Sequence, residues 1–212
     1  MDAIHILVFA KAPVAGEVKT RLIPTLGAEA AARLHCELML HTLHTVCTTN
    51  TGNVELWCAP DTQHPWFAAC KARFPVTLNT QQGVDLGERM LHAATTALHR
   101  AKAVILVGTD CPTLCAEDLH AAQAALLTAD AVLGPAADGG YWLLGLRHHD
   151  AALFRDIEWG SEQVLAATRQ RLHTLGWTWR ELATRWDVDR PEDLERLQNH
   201  RRTPQSSQKT QR

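Results

Sequence analysis

The sequence predicts an α/β protein: a three-layer α/β/α sandwich around a mostly parallel mixed sheet. Three observations carry that expectation. Short apolar, β-branched runs alternate with helical stretches of 10–20 residues, the pattern of strands joined by crossover helices. One of those runs, AVILV at 103–107, is apolar on both faces, as a central parallel strand requires. A content of 46% hydrophobic and 21% charged residues over 212 positions supplies one ordinary core, since a domain averages ~150 residues.

The elements follow in order. AIHILVFA at 3–10 reads as a buried first strand. Residues 11–24 form a loop punctuated by Pro13, Gly16 and Pro24. Residues 28–47 are a helix with Ala31, Leu34, Leu38 and Leu43 on one side. Residues 54–58 are a strand, 65–73 a short helix, 76–78 a brief strand, 86–100 a helix and 103–107 the central strand. A turn at 108–113 leads to a helix at 116–129 and a strand at 131–134. Asp138-Gly139-Gly140 then introduces an apolar strand at 141–146. A helix over 161–175 and a short strand over 177–181 precede a last helix from Pro191. Residues 1–197 are expected to form this single domain, and 198–212 a polar tail that has nothing to bury and stays disordered.

Charge and composition exclude several classes. The net charge of −2 becomes −6 for residues 1–200 once the four positives of 201–212 are set aside, so no basic field argues for nucleic acid. No run approaches the ~20 apolar residues of a membrane helix. The N-terminus lacks the basic start and small-residue cleavage site of a signal peptide, which makes a cytoplasmic protein the expectation. The six cysteines are irregularly spaced without CxxC and read as small buried thiols rather than a disulfide frame. His41 and His44 have no acidic or thiol partner at zinc spacing, and with 12 histidines pairs such as these and His148-His149 arise by chance.

In an open α/β sheet, ligands bind outside the carboxyl ends of the strands, and polar residues collect there. The loop KAPVAGEVKTR after the first strand offers Lys11, Lys19 and Arg21 as charge, and Gly16 for close backbone approach to a polyphosphate; a plain solvated loop fits it as well. Asp110, at the end of the central strand, suits Mg²⁺ held against phosphate oxygens, or a turn aspartate bonding its own backbone. WDVDRPEDL at 186–194 adds Asp187 and Asp189. Asp189 with Glu192 also reads as a capping box ahead of Pro191, which leaves Asp187 unexplained. Asp138, Gly139, Gly140 and Trp142 either approach a ligand closely or form an Asp-Gly turn. QQGVDLGER at 81–89, with Gln82, Asp85 and Gly87, can hydrogen-bond a base or ribose, or cap a helix through Asp85 and Glu88.

Taken in order, FAKAPVAGEVKTRL (9–22), QGVDLGERM (82–90), GTDCP (108–112), ADGGYW (137–142) and DVDRPEDL (187–194) resemble the GT-A-type nucleotide-diphospho-sugar transferase superfamily. Within it they resemble a bacterial branch of small glycosyltransferases, labelled transferases associated with radical-SAM/selenodomain proteins. They are similar as well to phospholactate and, more distantly, molybdenum-cofactor guanylyltransferases. The resemblance implies that Ala10, Lys11, Gly16, Lys19 and Arg21 bind the nucleotide with Gln82, Asp85 and Gly87. Lys19, Arg21 and Asp110 would be catalytic, the two cations on the charge that develops. Asp110 and Asp189 would hold Mg²⁺ or Mn²⁺, and Asp138, Gly139, Gly140 and Trp142 would face the substrate. Two departures stand out. The glycine-rich GxGxxR loop of nucleotidyltransferases is reduced to Gly16, and the Asp-x-Asp of sugar transferases has Pro112 at its second aspartate.

The expected function is therefore Mg²⁺-dependent transfer of a nucleotidyl group to a phosphorylated small acceptor, with release of pyrophosphate. Sugar transfer from a nucleotide-sugar is the second reading and a non-catalytic nucleotide-binding adaptor the third. The expected partners are a nucleotide or nucleotide-sugar and a small acceptor, with neither nucleic acid nor membrane insertion.

Overall fold

The computed structural model describes residues 4–202. Seven strands form one sheet: β1 His5–Lys11, β2 Asn53–Ala59, β3 Val76–Thr80, β4 Val104–Val107, β5 Ala131–Pro135, β6 Tyr141–Leu146 and β7 Trp179–Glu181. Seven α-helices flank it: α1 Ile23–Leu26, α2 Ala28–Thr49, α3 Pro65–Arg73, α4 Leu86–Leu98, α5 Ala116–Ala125, α6 Val164–Thr174 and α7 Pro191–Arg202. The strand order is β3-β2-β1-β4-β6-β5-β7. β1 pairs in parallel with both β2 and β4, whereas β6 runs antiparallel between β4 and β5. The sheet is thus mostly parallel with one reversed strand. Five residues separate β5 from β6, too few for a parallel crossover, so the chain must turn back as a hairpin.

The layers follow from side-chain alternation along the strands. On β1, Ile6 and Val8 face α2, α3 and α5 in a core with Met39, Leu43, Phe67 and Leu119. Leu7, with Phe9 packed beside it, faces α4 and α6 in a second core with Ala93, Ala97 and Leu172. A third cluster joins the ends of the fold: Leu22, Leu34 and Leu38 pack on Trp186, Val188 and Leu197. Leu22 and Val188 are fully buried, and burying such a side chain contributes about 1.5–3 kcal/mol. That contact pins the loop after β1 to the segment before α7.

Several expectations are corrected. Residues 20–24, expected as loop, hold a 3₁₀ turn at Thr20–Leu22 and the start of α1, because Leu22 is drawn into the third cluster. α5 ends at Ala125, four residues before the expected end. α7 runs to Arg202, past the boundary expected at 197. The remainder of the expected tail, from 203, lies outside the described residues. All six cysteines are free thiols, and only Cys58, Cys70 and Cys111 are fully buried. Among the described residues no helix is long and apolar enough to cross a membrane.

Candidate active site

Strand order reverses at the β1–β4 junction: β2 and β3 lie to one side, β6, β5 and β7 to the other. A sheet of this kind opens a crevice there, outside the carboxyl ends. A cleft of about 420 Å³ occupies that position, lined by Ala10, Lys11, Lys19 and Arg21 from the β1 side, and by Gly108, Thr109 and Asp110 beyond β4. Asp189 closes one side, and Phe9 and Leu86 provide apolar wall.

Lys19 lies at the centre of the site. Its backbone is left-handed (φ 49°) three residues after Gly16 (φ 90°), a conformation that costs energy in a residue with a Cβ. The turn sends the side chain inward until it is 3% exposed. There the ammonium meets three oxygens: Asp110 Oδ1 at 2.6 Å, Asp189 Oδ1 at 2.8 Å and the Val188 carbonyl at 2.7 Å. Burial alone would lower its pKa, but Asp110 and Asp189 outweigh burial and hold the ammonium charged, above the ordinary lysine value. Expected on phosphates, Lys19 is instead turned toward the carboxylates expected to hold the metal.

Asp189 is free for this role because a neighbour performs the capping. Asp193 Oδ2 accepts from the backbone N–H groups of Asp189 and Arg190 at 3.0 and 2.8 Å. The expected Asp189–Glu192 box is therefore replaced by a cap from Asp193. Asp187 lies beside the same acids with a buried Oδ1 that has no hydrogen-bond partner. Burial and the charges of Asp110, Asp138 and Asp189 push its pKa up to about 8. His35, on the inner face of α2, donates from Nε2 to the Lys11 carbonyl at 3.0 Å and lines the cleft. Burial lowers its pKa, so the neutral ring fixes the backbone from which Lys11 projects.

The donors fit Mg²⁺ or Mn²⁺ in kind. Asp110 and Asp189 present hard oxygens to one point, and the unpartnered Asp187 Oδ1 lies beside them. Among the described residues no group of three or more His, Cys, Asp or Glu is placed to hold a metal ion by itself. The point between Asp110 and Asp189 is claimed by the Lys19 ammonium. A divalent cation must therefore displace it or use the open sides of the two carboxylates.

Other expected site residues are placed differently. Gly16 takes a left-handed φ of 90° that suits glycine, and a Cβ there would meet nothing within 4 Å, so the turn accounts for it without any close packing partner. Gln82 is exposed and is not one of the residues that line the cleft. Its neighbour Gln81 lines the cleft and donates to the carbonyls of Trp57 and Ala10 at 2.8 and 3.3 Å. Asp85 caps α4 by accepting from Glu88 N at 2.8 Å. Gly87 is buried against Trp159, whose Nε1 would lie 2.5 Å from an added Cβ, so it is a packing glycine. Trp142 is 3% exposed in the core and lies against Gly134, out of reach of a substrate. Gly139 turns the hairpin at φ 88° against the Glu162 backbone, and Asp138 Oδ1 accepts from Gly140 N at 3.0 Å. Of that group, Asp138 lines a second pocket of about 260 Å³ beyond Asp189.

A family model described as "Uncharacterized protein conserved in bacteria (DUF2064)" matches residues 42–161, more than half of the chain. The chain belongs to the DUF2064 family. The fold of this DUF2064 protein is shared by solved structures. A protein from Desulfovibrio desulfuricans G20, provisionally described as a nucleotide-diphospho-sugar transferase, is 32% identical over 97% of this chain and 90% of its own, with a TM-score of 0.88. The 4-diphosphocytidyl-2C-methyl-D-erythritol synthase of Anaerococcus prevotii DSM 20548 is 10% identical over 95% of this chain and 96% of its own, at 0.64. Rv0371c of Mycobacterium tuberculosis H37Rv, solved as a complex with manganese, is 19% identical over 92% and 97%, at 0.53. The last two likenesses speak for the fold alone. No curated protein matches the chain. The DUF2064 protein thus has the nucleotide-diphospho-sugar transferase fold expected from its motifs.

Proposed function

We propose that the protein is a nucleotide-using transferase of the cytoplasm, and specifically a nucleotidyltransferase. One observation carries the reading: the loop with Lys11 and Arg21, and the carboxylates Asp110 and Asp189, meet at the switch-point cleft, which Arg21 and Asp189 also join to a second pocket. A triphosphate in the cleft and an acceptor in the second pocket would meet across these residues. In the reaction an acceptor phosphate oxygen forms a bond to the α-phosphorus, the bond to the bridging oxygen breaks, and pyrophosphate leaves. An anionic phosphate needs no general base, so the protein's work is positioning and electrostatics.

Lys11 and Arg21 would bind phosphate oxygens, with Phe9 and Leu86 against the base and Gln81 beside it. Lys19 holds Asp110 and Asp189 in one geometry, which makes it a positioning residue as it stands. Asp110 and Asp189 would hold a divalent cation, which when bound neutralises phosphate charge. A second reading, sugar transfer from a nucleotide-sugar, draws support from Asp138, which reaches the second pocket beside Asp187. It also accords with the description of the D. desulfuricans relative.

Thermal-shift titration with nucleoside triphosphates and nucleotide-sugars, with Mg²⁺ and with chelator, tests the choice. One triphosphate should stabilise the protein, and chelator should abolish the effect. Stabilisation by a nucleotide-sugar alone would overturn nucleotidyl transfer in favour of sugar transfer, and silence across the panel would overturn both.

A further inference from the structure

The second pocket has a charge pattern of its own. Arg21, Arg190 and Arg196 line it together with five carboxylates. Arginines so close to acids ordinarily pair with them, yet among the described residues none of these three forms an ion pair or a side-chain hydrogen bond. Three of the acids are already answered, Asp189 by Lys19, Asp193 by two backbone N–H groups and Asp138 by the Gly140 N–H. Arg196 is also held in place: its guanidinium lies 4.4 Å from the centre of the Trp186 ring, a cation–π arrangement that fixes its plane.

A second, independent observation comes from Asp187, which lines the same pocket. Its Oδ1 is buried and has no hydrogen-bond partner, a state that costs free energy until a partner arrives. Three unpaired forked donors and one unpartnered carboxyl oxygen describe a complementary ligand. It carries an anionic group, phosphate ester or carboxylate, for the arginines, and a hydroxyl for Asp187. At about 260 Å³ the pocket falls below the ~300–1,000 Å³ of drug-sized sites, so the ligand is small.

We propose that this pocket is the acceptor site, and that it takes a small hydroxylated anion whose charged group is read by Arg190 and Arg196, with Arg21 at the boundary with the nucleotide. The word acceptor rests on the transferase reading above; the anion site does not.

The test is calorimetric titration of the full chain with glycerol 3-phosphate, glycerate, inorganic phosphate and glycerol. A nucleoside triphosphate is titrated separately. Glycerol 3-phosphate or glycerate should bind and glycerol should not; which of the two binds tells phosphate from carboxylate. Arg190→Gln and Arg196→Gln, both exposed positions, should each weaken that binding at least tenfold and leave triphosphate binding unchanged. Asp187→Asn should reduce the preference for glycerol 3-phosphate over inorganic phosphate. No anion binding to the wild type would overturn the proposal. So would equal affinity in the arginine variants, or parallel loss of triphosphate binding, which would put the anion in the main cleft. If no nucleotide binds while the arginine-dependent anion still does, the transferase reading falls and the anion site stands.

Discussion

Replacing Lys19 with methionine removes the charge and keeps most of the volume, so it isolates what the ammonium does. Lys19 is 3% exposed and ion-paired at 2.6 and 2.8 Å to carboxylates that are 40% and 39% exposed. Deleting one partner of a buried pair costs about 3–5 kcal/mol. Here water reaches both carboxylates, so the cost is discounted to about 1–3 kcal/mol. At roughly 2–4 °C per kcal/mol for a domain of this size, Lys19→Met should melt some 2–12 °C below the wild type. The second half of the prediction has the opposite sign. With the ammonium gone, Asp110 and Asp189 are left with unanswered charge, and Mn²⁺ should bind the variant at least tenfold tighter, a difference of about 1.4 kcal/mol. Mn²⁺ titration followed by calorimetry, with melting curves at each concentration, measures both. A variant as stable as wild type with unchanged Mn²⁺ affinity would refute the reasoning. Weakened triphosphate binding with unchanged Mn²⁺ affinity would show instead that Lys19 leaves the carboxylates for phosphate.

Asp110→Asn should abolish the metal-dependent part of triphosphate binding while leaving the Lys19–Asp189 contact; calorimetry with Mg²⁺ and with chelator reads it, and a persistent Mg²⁺ effect counts against Asp110. Gly87→Ala drives a methyl into Trp159 and should cost about 1–3 kcal/mol by overpacking without altering nucleotide affinity. A change in affinity at unchanged melting temperature would restore Gly87 to the binding site. The edge strand β7 should loosen in acid. Glu181 is held below the usual carboxylate range by the Arg169 guanidinium, and Asp130 by hydrogen bonds from Thr178. Both contribute stability that is complete above the unfolded values of about 4 and lost as the pH falls through the lower folded ones. Hydrogen exchange of the β7 amides should quicken ahead of global unfolding, and uniform protection down to the unfolding pH would contradict it.

The strands and the switch point were legible because period and apolar runs are local properties. The antiparallel β6 followed from its short hairpin once the sheet existed. The gathering of Lys19, Asp110 and Asp189 was legible as a list of residues but not as a geometry. The inward turn of Lys19 depends on a left-handed residue and on Leu22 finding Val188, 166 positions away by number. Capping misled for a similar reason. Asp189 and Asp193 are equally able to serve a helix start, and only the pull of Lys19 on Asp189 decides between them. Gly87 and Trp142 belonged to motif strings that look functional, yet each is explained by its packing partner, Trp159 or Gly134. Gln81 was overlooked beside Gln82 because both follow β3 in one polar loop, and only the folded path of that loop settles which one lines the cleft. His35 gave the weakest signal, as one histidine in an apolar helical stripe.

The contact between Lys19 and Asp189 spans 170 residues, and the cluster around Leu22 and Val188 closes the same loop. The centre of the cleft is therefore built from the two ends of the domain. During synthesis the sheet from β1 to β6 can assemble before the segment bearing Asp189 exists, since chains fold largely from the N-terminus as they emerge. A nascent or C-terminally clipped chain would expose Asp110 and Lys19 without their third member, and would lack the Asp189 side of the cleft. Competence at the site is in this sense a late report that the whole domain has closed.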